Sequence, residues 1–292
     1  MRYVIALGGN ALVGPKSADK VAYEIVRQHA LGNQIIITHG NGPQVGELAA
    51  AQKRGLAVLT AETQAWIGTV LKEKLNSALL HRGMSPEGVV ETVLTEVIVK
   101  ADDPGFKHPT KPIGPFMSAA EASSARRKGF CTSKLIGGYR RVVPSPEPLE
   151  IMQMDAIKYL LGRHRIVIAC GGGGIPVARS GKGLKYIDAV INKDSASSIL
   201  ASAIRADMLF ILTNVDGAYL NYTKHNRELI SKSTIKALKA SMAMGHFEAG
   251  SMMPKVKACI DFAESTGKCA GIGSLSHPRD VFSMKRLTLV TP

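Results

Sequence analysis

Four apolar runs, each ending in a loop rich in glycine or asparagine, constrain this chain more than any other feature. Residues 3–7 run into Gly8-Gly9-Asn10, and 34–38 into His39-Gly40-Asn41-Gly42. Residues 165–170 run into Gly171-Gly172-Gly173-Gly174, and 208–213 into Asn214-Val215-Asp216-Gly217. The runs are apolar at successive rather than alternate positions, which predicts strands buried on both faces. Helical patterns cover 17–31 and 60–82, and weaker strands are expected at 268–273 and 287–290. Residues 89–100, rich in Val, Ile and Thr, read as one further strand. Such strands alternating with helices predict an α/β fold with a mostly parallel sheet covered on both sides.

Composition excludes several classes. The 292 residues allow one large domain or two modest ones. With 45% hydrophobic and 21% charged residues, the composition is globular rather than disordered. No apolar stretch approaches the roughly 20 residues of a membrane helix. The first apolar run is too short for a signal-peptide core. Cys131, Cys170, Cys259 and Cys269 lack C-x-x-C spacing, so free thiols in a reducing cytoplasm are expected. The formal net charge of +14 invites a nucleic-acid reading. The basic residues are scattered, however, with only short groups such as Arg126-Arg127-Lys128 and Arg140-Arg141. Attraction of small anionic substrates is a sufficient use for that charge.

Between about 102 and 141 the strand–helix rhythm breaks. Pro104, Pro109, Pro112 and Pro115 precede a basic, Ser/Ala-rich stretch. An insertion is expected here, a lid or small subdomain protruding from the main sheet.

The glycine loops fall where ligands sit in parallel α/β sheets, at strand carboxyl ends. Glycine lets backbone N–H groups approach an anion, and a following helix start adds its positive dipole end. Three such loops point to a phosphate-rich site. No G-x-x-x-x-G-K-[ST], no G-x-G-x-x-G after a strand and no protein-kinase motif set is present. Lys193-Asp194 opens a helical run, and Lys255 follows Gly250-Ser251-Met252-Met253-Pro254. There Ser251 is expected to cap a helix with Pro254 in its first turn. Lysines near helix starts oppose the dipole, and a bound phosphate would compensate.

Together the motifs resemble the carbamate kinase family, within the broader amino-acid-kinase fold. The matching stretches are ALGGNAL (6–12), ITHGNGPQVG (37–46), QAWIG (64–68), DDPGFKHPTKPIGPF (102–116), YRRVVPSPEP (139–148), VIACGGGGIPV (167–177), DAVINKDSAS (188–197), ILTNVDGAYLN (211–221) and GHFEAGSMMPKV (245–256). The resemblance implies a three-layer αβα sandwich. Its half 1–164 would hold carbamate or carbamoyl phosphate, and its half 165–292 the adenine nucleotide. The protruding lid subdomain, 102–141, would close over the site. It further implies a cytoplasmic homodimer, and the reversible reaction of ATP and carbamate to ADP and carbamoyl phosphate, with Mg²⁺ carried by the nucleotide phosphates.

The resemblance implies roles for particular residues. Gly8, Gly9 and Asn10 would surround the transferred phosphoryl group, and Gly40, Asn41 and Gly42 the carbamate. Lys193 and Lys255 would stabilise the moving charge, with Asp194 orienting them and Lys111 arriving as a third cation. Gly172, Gly173, Asn214, Asp216, Tyr219, Gly250 and Met252 would serve the nucleotide. His39 reads as a structural or polar-lining residue, because carbamate already carries a nucleophilic oxygen anion. The family usually has aspartate where Asn192 and Asn214 stand. The alternatives are a related small-acid kinase of the same fold and a catalytically weak nucleotide-binding regulatory protein.

Overall fold

The computed structural model describes residues 1–8, 15–181, 183–222, 225–248 and 250–292, with Pro15 and Lys16 described by backbone alone. The chain begins with β1 (Arg2–Leu7), α1 (Pro15–Ala30), β2 (Gln34–His39), α2 (Gly42–Ala51) and α3 (Leu56–His81). Two short strands follow, β3 (Val90–Thr92) and β4 (Glu96–Val99). Then come β5 (Lys111–Met117), α4 (Ala119–Arg127), β6 (Thr132–Leu135), β7 (Gly138–Val143) and β8 (Pro148–Ile151). The middle of the chain forms α5 (Met154–Gly162), β9 (Ile166–Ile168), β10 (Ile175–Ser180), β11 (Gly183–Tyr186), α6 (Lys193–Ala203) and β12 (Met208–Thr213). The last part holds β13 (Tyr219–Leu220), β14 (Glu228–Leu229), β15 (Lys232–Thr234), α7 (Ile235–Ala243) and α8 (Met252–Thr266). It ends with β16 (Cys269–Ser274), α9 (Pro278–Phe282) and β17 (Leu287–Thr291).

The main sheet runs β15-β17-β16-β12-β1-β2-β9-β3. Among the described residues, β16 with β17 is its antiparallel pairing and the other neighbours are parallel. Side-chain alternation explains why the apolar runs are continuous. Val4, Ala6, Ile36, Val167, Leu209 and Ile211 face α5, α6 and α8, through Leu161, Leu200 and Phe262 among others. Tyr3, Ile5, Leu7, Ile35, Ile37 and Phe210 face α1, α3 and α9, through Ile25, Leu75 and Val281 among others. Both faces are therefore core, and the fold is a three-layer αβα sandwich. No described helix is long and apolar enough to cross a membrane.

One sequence expectation needs correcting. Residues 89–100 form two strands in two sheets, because Thr95 is claimed from several sides. Its N–H donates to Gln64 Oε1 (2.8 Å), and its carbonyl accepts from Gln64 Nε2 (3.0 Å) and from the Ile175 N–H (2.9 Å). Its hydroxyl oxygen accepts from the Cys170 N–H (3.0 Å). β3 therefore ends at the edge of the main sheet. β4 enters a second sheet ordered β11-β10-β4-β8.

The proline-rich stretch and the residues after it build an antiparallel sheet, β5-β7-β6. Helix α4 adjoins it, opened by a capping box of Ser118 and Glu121. This sheet meets the main body where β5 crosses α2 backbone to backbone. A Cβ on Gly46 would lie 1.9 Å from Gly114 N and 2.2 Å from Gly114 Cα. Gly46→Ala is thus expected to lower unfolding stability by about 1–3 kcal/mol in a denaturant titration. Gly162→Ala, at a helical glycine with nothing within 4 Å of the added carbon, is expected to cost nothing. Equal stabilities for the two variants would refute the close α2–β5 approach.

Candidate active site

Strands β12, β1, β2 and β9 are consecutive neighbours, so the loops that follow them lie side by side at one edge of the sheet. Backbone bonds tie the loops to the strand ends: Gly8 N–H to Leu212 O (3.1 Å) and Gly40 N–H to Leu7 O (3.0 Å). A cleft of about 300 Å³ opens there. Gly8, Gly40, Asn41, Gly42, Gly172, Asn214 and Gly250 line it, together with Lys111, Arg140, Lys193, Asp194 and Lys255. Helices α2, α6 and α8 all begin at this edge. Their unpaired N–H groups and positive dipole ends favour an anion between them.

The charged centre follows from how α6 and α8 start. Asn192 is the N-cap of α6, its side-chain oxygen accepting from the Asp194 N–H (2.8 Å). Lys193 and Asp194 are both buried, and the Lys193 ammonium donates to Asp194 Oδ1. Lys255, one turn into α8, donates to Asp194 Oδ2 (3.2 Å) and to Ser251 O (3.1 Å). A hydroxyl chain fixes the first turn of α6. Ser197 donates to Lys193 O (2.6 Å), so Thr38 of β2 donates to Ser197 Oγ (2.6 Å). Burial pushes the Asp194 carboxyl upward, but Lys193 and Lys255 outweigh it and hold the group well below the usual carboxylate range. Burial lowers Lys193, opposed by Asp194 and reinforced by Lys255. Lys111, the first residue of β5, is lowered to about 8, chiefly by burial. Asp194 opposes that shift, and Lys255, Lys193 and Arg140 add to it.

A second, more apolar pocket of about 140 Å³ adjoins the first and shares Thr213, Ser251 and Lys255 with it. Val215, Tyr219, Tyr222, Phe247 and Met252 line it. Of the residues expected for a nucleotide, the structure therefore brings Tyr219 and Met252 to this pocket, and Gly172, Asn214 and Gly250 to the cleft. Asp216 lines neither; its carboxylate pairs with Arg286 (2.8 Å) and lies 3.8 Å from His277. Gly173 also lines neither and packs against Ile191, whose carbonyl oxygen an added Cβ would approach to 2.5 Å. Gly9 and Asn10 lie outside the described residues.

Details at the loops differ from the sequence reading. Ser251 does occupy the N-cap position of α8, but its hydroxyl donates to Glu248 Oε2 (2.6 Å) rather than capping the helix. Asn41 is buried and gives its amide to Thr63 Oγ1 (3.0 Å). Gly172, at φ 64°, lies so close that a Cβ would meet Asn41 Nδ2 at 2.2 Å. His39 is buried with its Nδ1 3.2 Å from Gly40 O. Burial brings it to about 4, so the ring is neutral at physiological pH. Sequence reasoning missed Arg140, Tyr222 and Phe247. Arg140 and Phe247 stand inside the quoted stretches YRRVVPSPEP and GHFEAGSMMPKV, which were the available signal.

Among the described residues, no group of three or more His, Cys, Asp or Glu is placed to hold a metal ion. Asp194, the acid of the cleft, is already committed to two lysines. Four cations against one carboxylate leave the cleft positive, suited to a multiply charged anion.

Lys111 gives this charge a pH signature. A bound anion favours the ammonium form, which in the free protein is half lost at about pH 8 and declines further as pH rises. Sulfate does not titrate in this range. Its affinity is expected to fall about tenfold between pH 7 and 9.5, and Lys111→Met to remove most of that fall. An equal fall in the variant, measured by calorimetry, would assign the titration to another group.

The profile of the amino acid kinase family matches residues 1–272. The carbamate kinase of Thermoplasma acidophilum is 39% identical, the alignment covering 99% of each chain. That of Pyrococcus furiosus is 41% identical, over 100% of this chain and 99% of its own. The structure of the Giardia lamblia carbamate kinase bound to AMP-PNP superposes with a TM-score of 0.86 at 37% identity, covering 99% of this chain and 98% of that one. With the cleft, its paired lysines and this full-length likeness, the chain belongs to the carbamate kinases of the amino acid kinase family.

Proposed function

We propose that the protein is a carbamate kinase, transferring a phosphoryl group reversibly between ATP and carbamate. The observation that carries this reading is the pair of lysines sharing Asp194, set between the glycine loops and the apolar pocket. The Giardia lamblia relative is described with AMP-PNP, which supports a nucleotide here too. Adenine would occupy the Tyr219–Met252 pocket. The phosphates would then run past Ser251 and Lys255 toward Lys193 and Gly8. Carbamate would lie beside Gly40, Asn41 and Gly42.

Chemistry asks little of the protein beyond alignment and charge. A carbamate oxygen lone pair attacks the γ-phosphorus. The bond to the β,γ-bridging oxygen breaks, and its electron pair leaves with ADP. Carbamate is already an anion, so no proton needs removing, consistent with a neutral His39. Lys193, Lys255 and the Gly8 N–H would stabilise charge building on the transferred oxygens. Lys111, which already lines the cleft from β5, would act with them as a third cation, with the 102–141 subdomain serving as the lid.

Mg²⁺ would travel on the nucleotide phosphates, in keeping with the described residues, which place no group of three or more acidic, His or Cys side chains to cage it. We assign halves 1–164 to the acceptor and 165–292 to the nucleotide, within a homodimer. A cytoplasmic setting agrees with four free cysteines. ATP synthesis is the proposed cellular direction, because carbamoyl phosphate is an energy-rich donor.

The test is ATP formation from ADP, Mg²⁺ and carbamoyl phosphate. Wild type is expected to turn over, and Lys193→Ala and Lys255→Ala each to lose about 10²–10³ in kcat. A folded wild type that makes no ATP would sink the proposal.

A further inference from the structure

The RRVVPSP stretch is not explained by the two lysines. It forms most of β7, and its two arginines point opposite ways, as adjacent strand residues must. Arg141 turns onto the Phe130 ring, 4.2 Å from its centroid. Arg140 lies 5.6 Å from the Phe116 ring centroid and lines the cleft. Its Nε and Nη2 atoms are both buried, and neither has a hydrogen-bond partner among the described residues. These are the two donors along one edge of the guanidinium plane, parallel and spaced to meet two oxygens of a planar acid. The edge lies beside the start of α2: a Cβ on Gly42 would be 3.9 Å from Nη2 and 3.3 Å from Pro112 O. Buried charged donors left unpaired are costly, so this edge is built for an acceptor that arrives with the ligand. The lysine ammonium groups are compact point charges with no such planar preference.

We propose that Arg140 reads the planar acid of the acceptor, with Nε and Nη2 donating to its two oxygens while the lysines take the tetrahedral phosphoryl group. The assignment rests on the carbamate kinase reading and adds a specificity determinant to it. In the reverse direction the same edge spans the carbonyl and bridging oxygens of carbamoyl phosphate. Acceptors without a planar two-oxygen group lose this contact and bind by charge alone.

Two probes separate the contributions. Phosphonoacetate carries a planar carboxylate and a tetrahedral phosphonate; methylphosphonate carries the phosphonate alone. Binding of each to the full chain is followed by ³¹P NMR titration, which reads weak affinities. Arg140→Lys keeps the charge and loses the edge. It is expected to weaken phosphonoacetate by about 10- to 100-fold and to leave methylphosphonate within about twofold. Arg140→Gln should repeat the pattern, and Lys193→Ala should weaken both probes. In turnover, KM for carbamoyl phosphate should rise with Arg140→Lys while KM for ADP holds. If the Arg140 variants weaken both probes alike, or neither, the proposal is overturned. A wild type that discriminates the probes through Arg140 yet makes no ATP would overturn the carbamate kinase reading and leave this one standing.

Discussion

Asp194 sits between two ammonium groups in a nearly water-free position, and the cleft is organised around that contact. An isolated buried carboxylate would take up a proton, and Lys193 alone in that position would lose one. The contacts of Asp194 with Lys193 and Lys255 keep it ionised and join the first turn of α6 to the first turns of α8. The join needs α6 in register with the sheet, and the Thr38–Ser197–Lys193 hydroxyl chain supplies it from β2. Removing the carboxylate would leave the buried Lys193 facing the half-buried Lys255 with no counter-charge between them. Removing either lysine would leave the buried Asp194 carboxylate with only one of its two ammonium partners against the same desolvation cost.

The remaining cations come from a different part of the chain. Lys111 and Arg140 stand on β5 and β7 of the small antiparallel sheet, while Lys193 and Lys255 stand on helices packed against the main one. Like charges repel, so four cations converge only where the backbone holds them or where an anion arrives. The backbone contribution is the α2–β5 crossing, where Gly46 and Gly114 bring two main chains together. The anion contribution comes with the substrate.

The central sheet was legible because residues such as Ile36 and Leu209 must be apolar whichever face they meet, and such runs have few other uses. Each glycine loop, and Lys193, is a weak signal alone; only their combination suggested an anion site, and the structure gathers Gly8, Gly40, Gly172 and Lys193 at one cleft. What stayed hidden depended on distant partners. Residues 89–100 divide at Thr95 because Gln64 and Cys170 claim its polar groups, and no window around Thr95 contains either. Asp216 turns to Arg286, 70 residues onward. The small antiparallel sheet is half exposed and carries prolines, so its alternation is weak. Arg140 was visible as a letter in a motif, but its unpaired edge exists only once β7 is laid beside Gly42.

Asn192 and Asn214, where the sequence resemblance led us to expect aspartates, fit this charge balance. Either residue type can cap a helix, and Asn192 does so by accepting from the Asp194 N–H. The helix start is therefore kept. An aspartate there would place a second carboxylate next to Asp194, and the two would compete for Lys193 and Lys255. With asparagine, one carboxylate holds both lysines. Asn214 likewise faces the cleft without a charge. Both asparagines leave more of the cations' field for the ligand, so attraction for phosphates rests on lysine and arginine with less internal neutralisation. The same exchange shifts the work of orienting each lysine onto Asp194 and onto backbone acceptors such as Ser251 O. In this chain the positive charge of the cleft and the order of its lysines thus depend on one buried carboxylate.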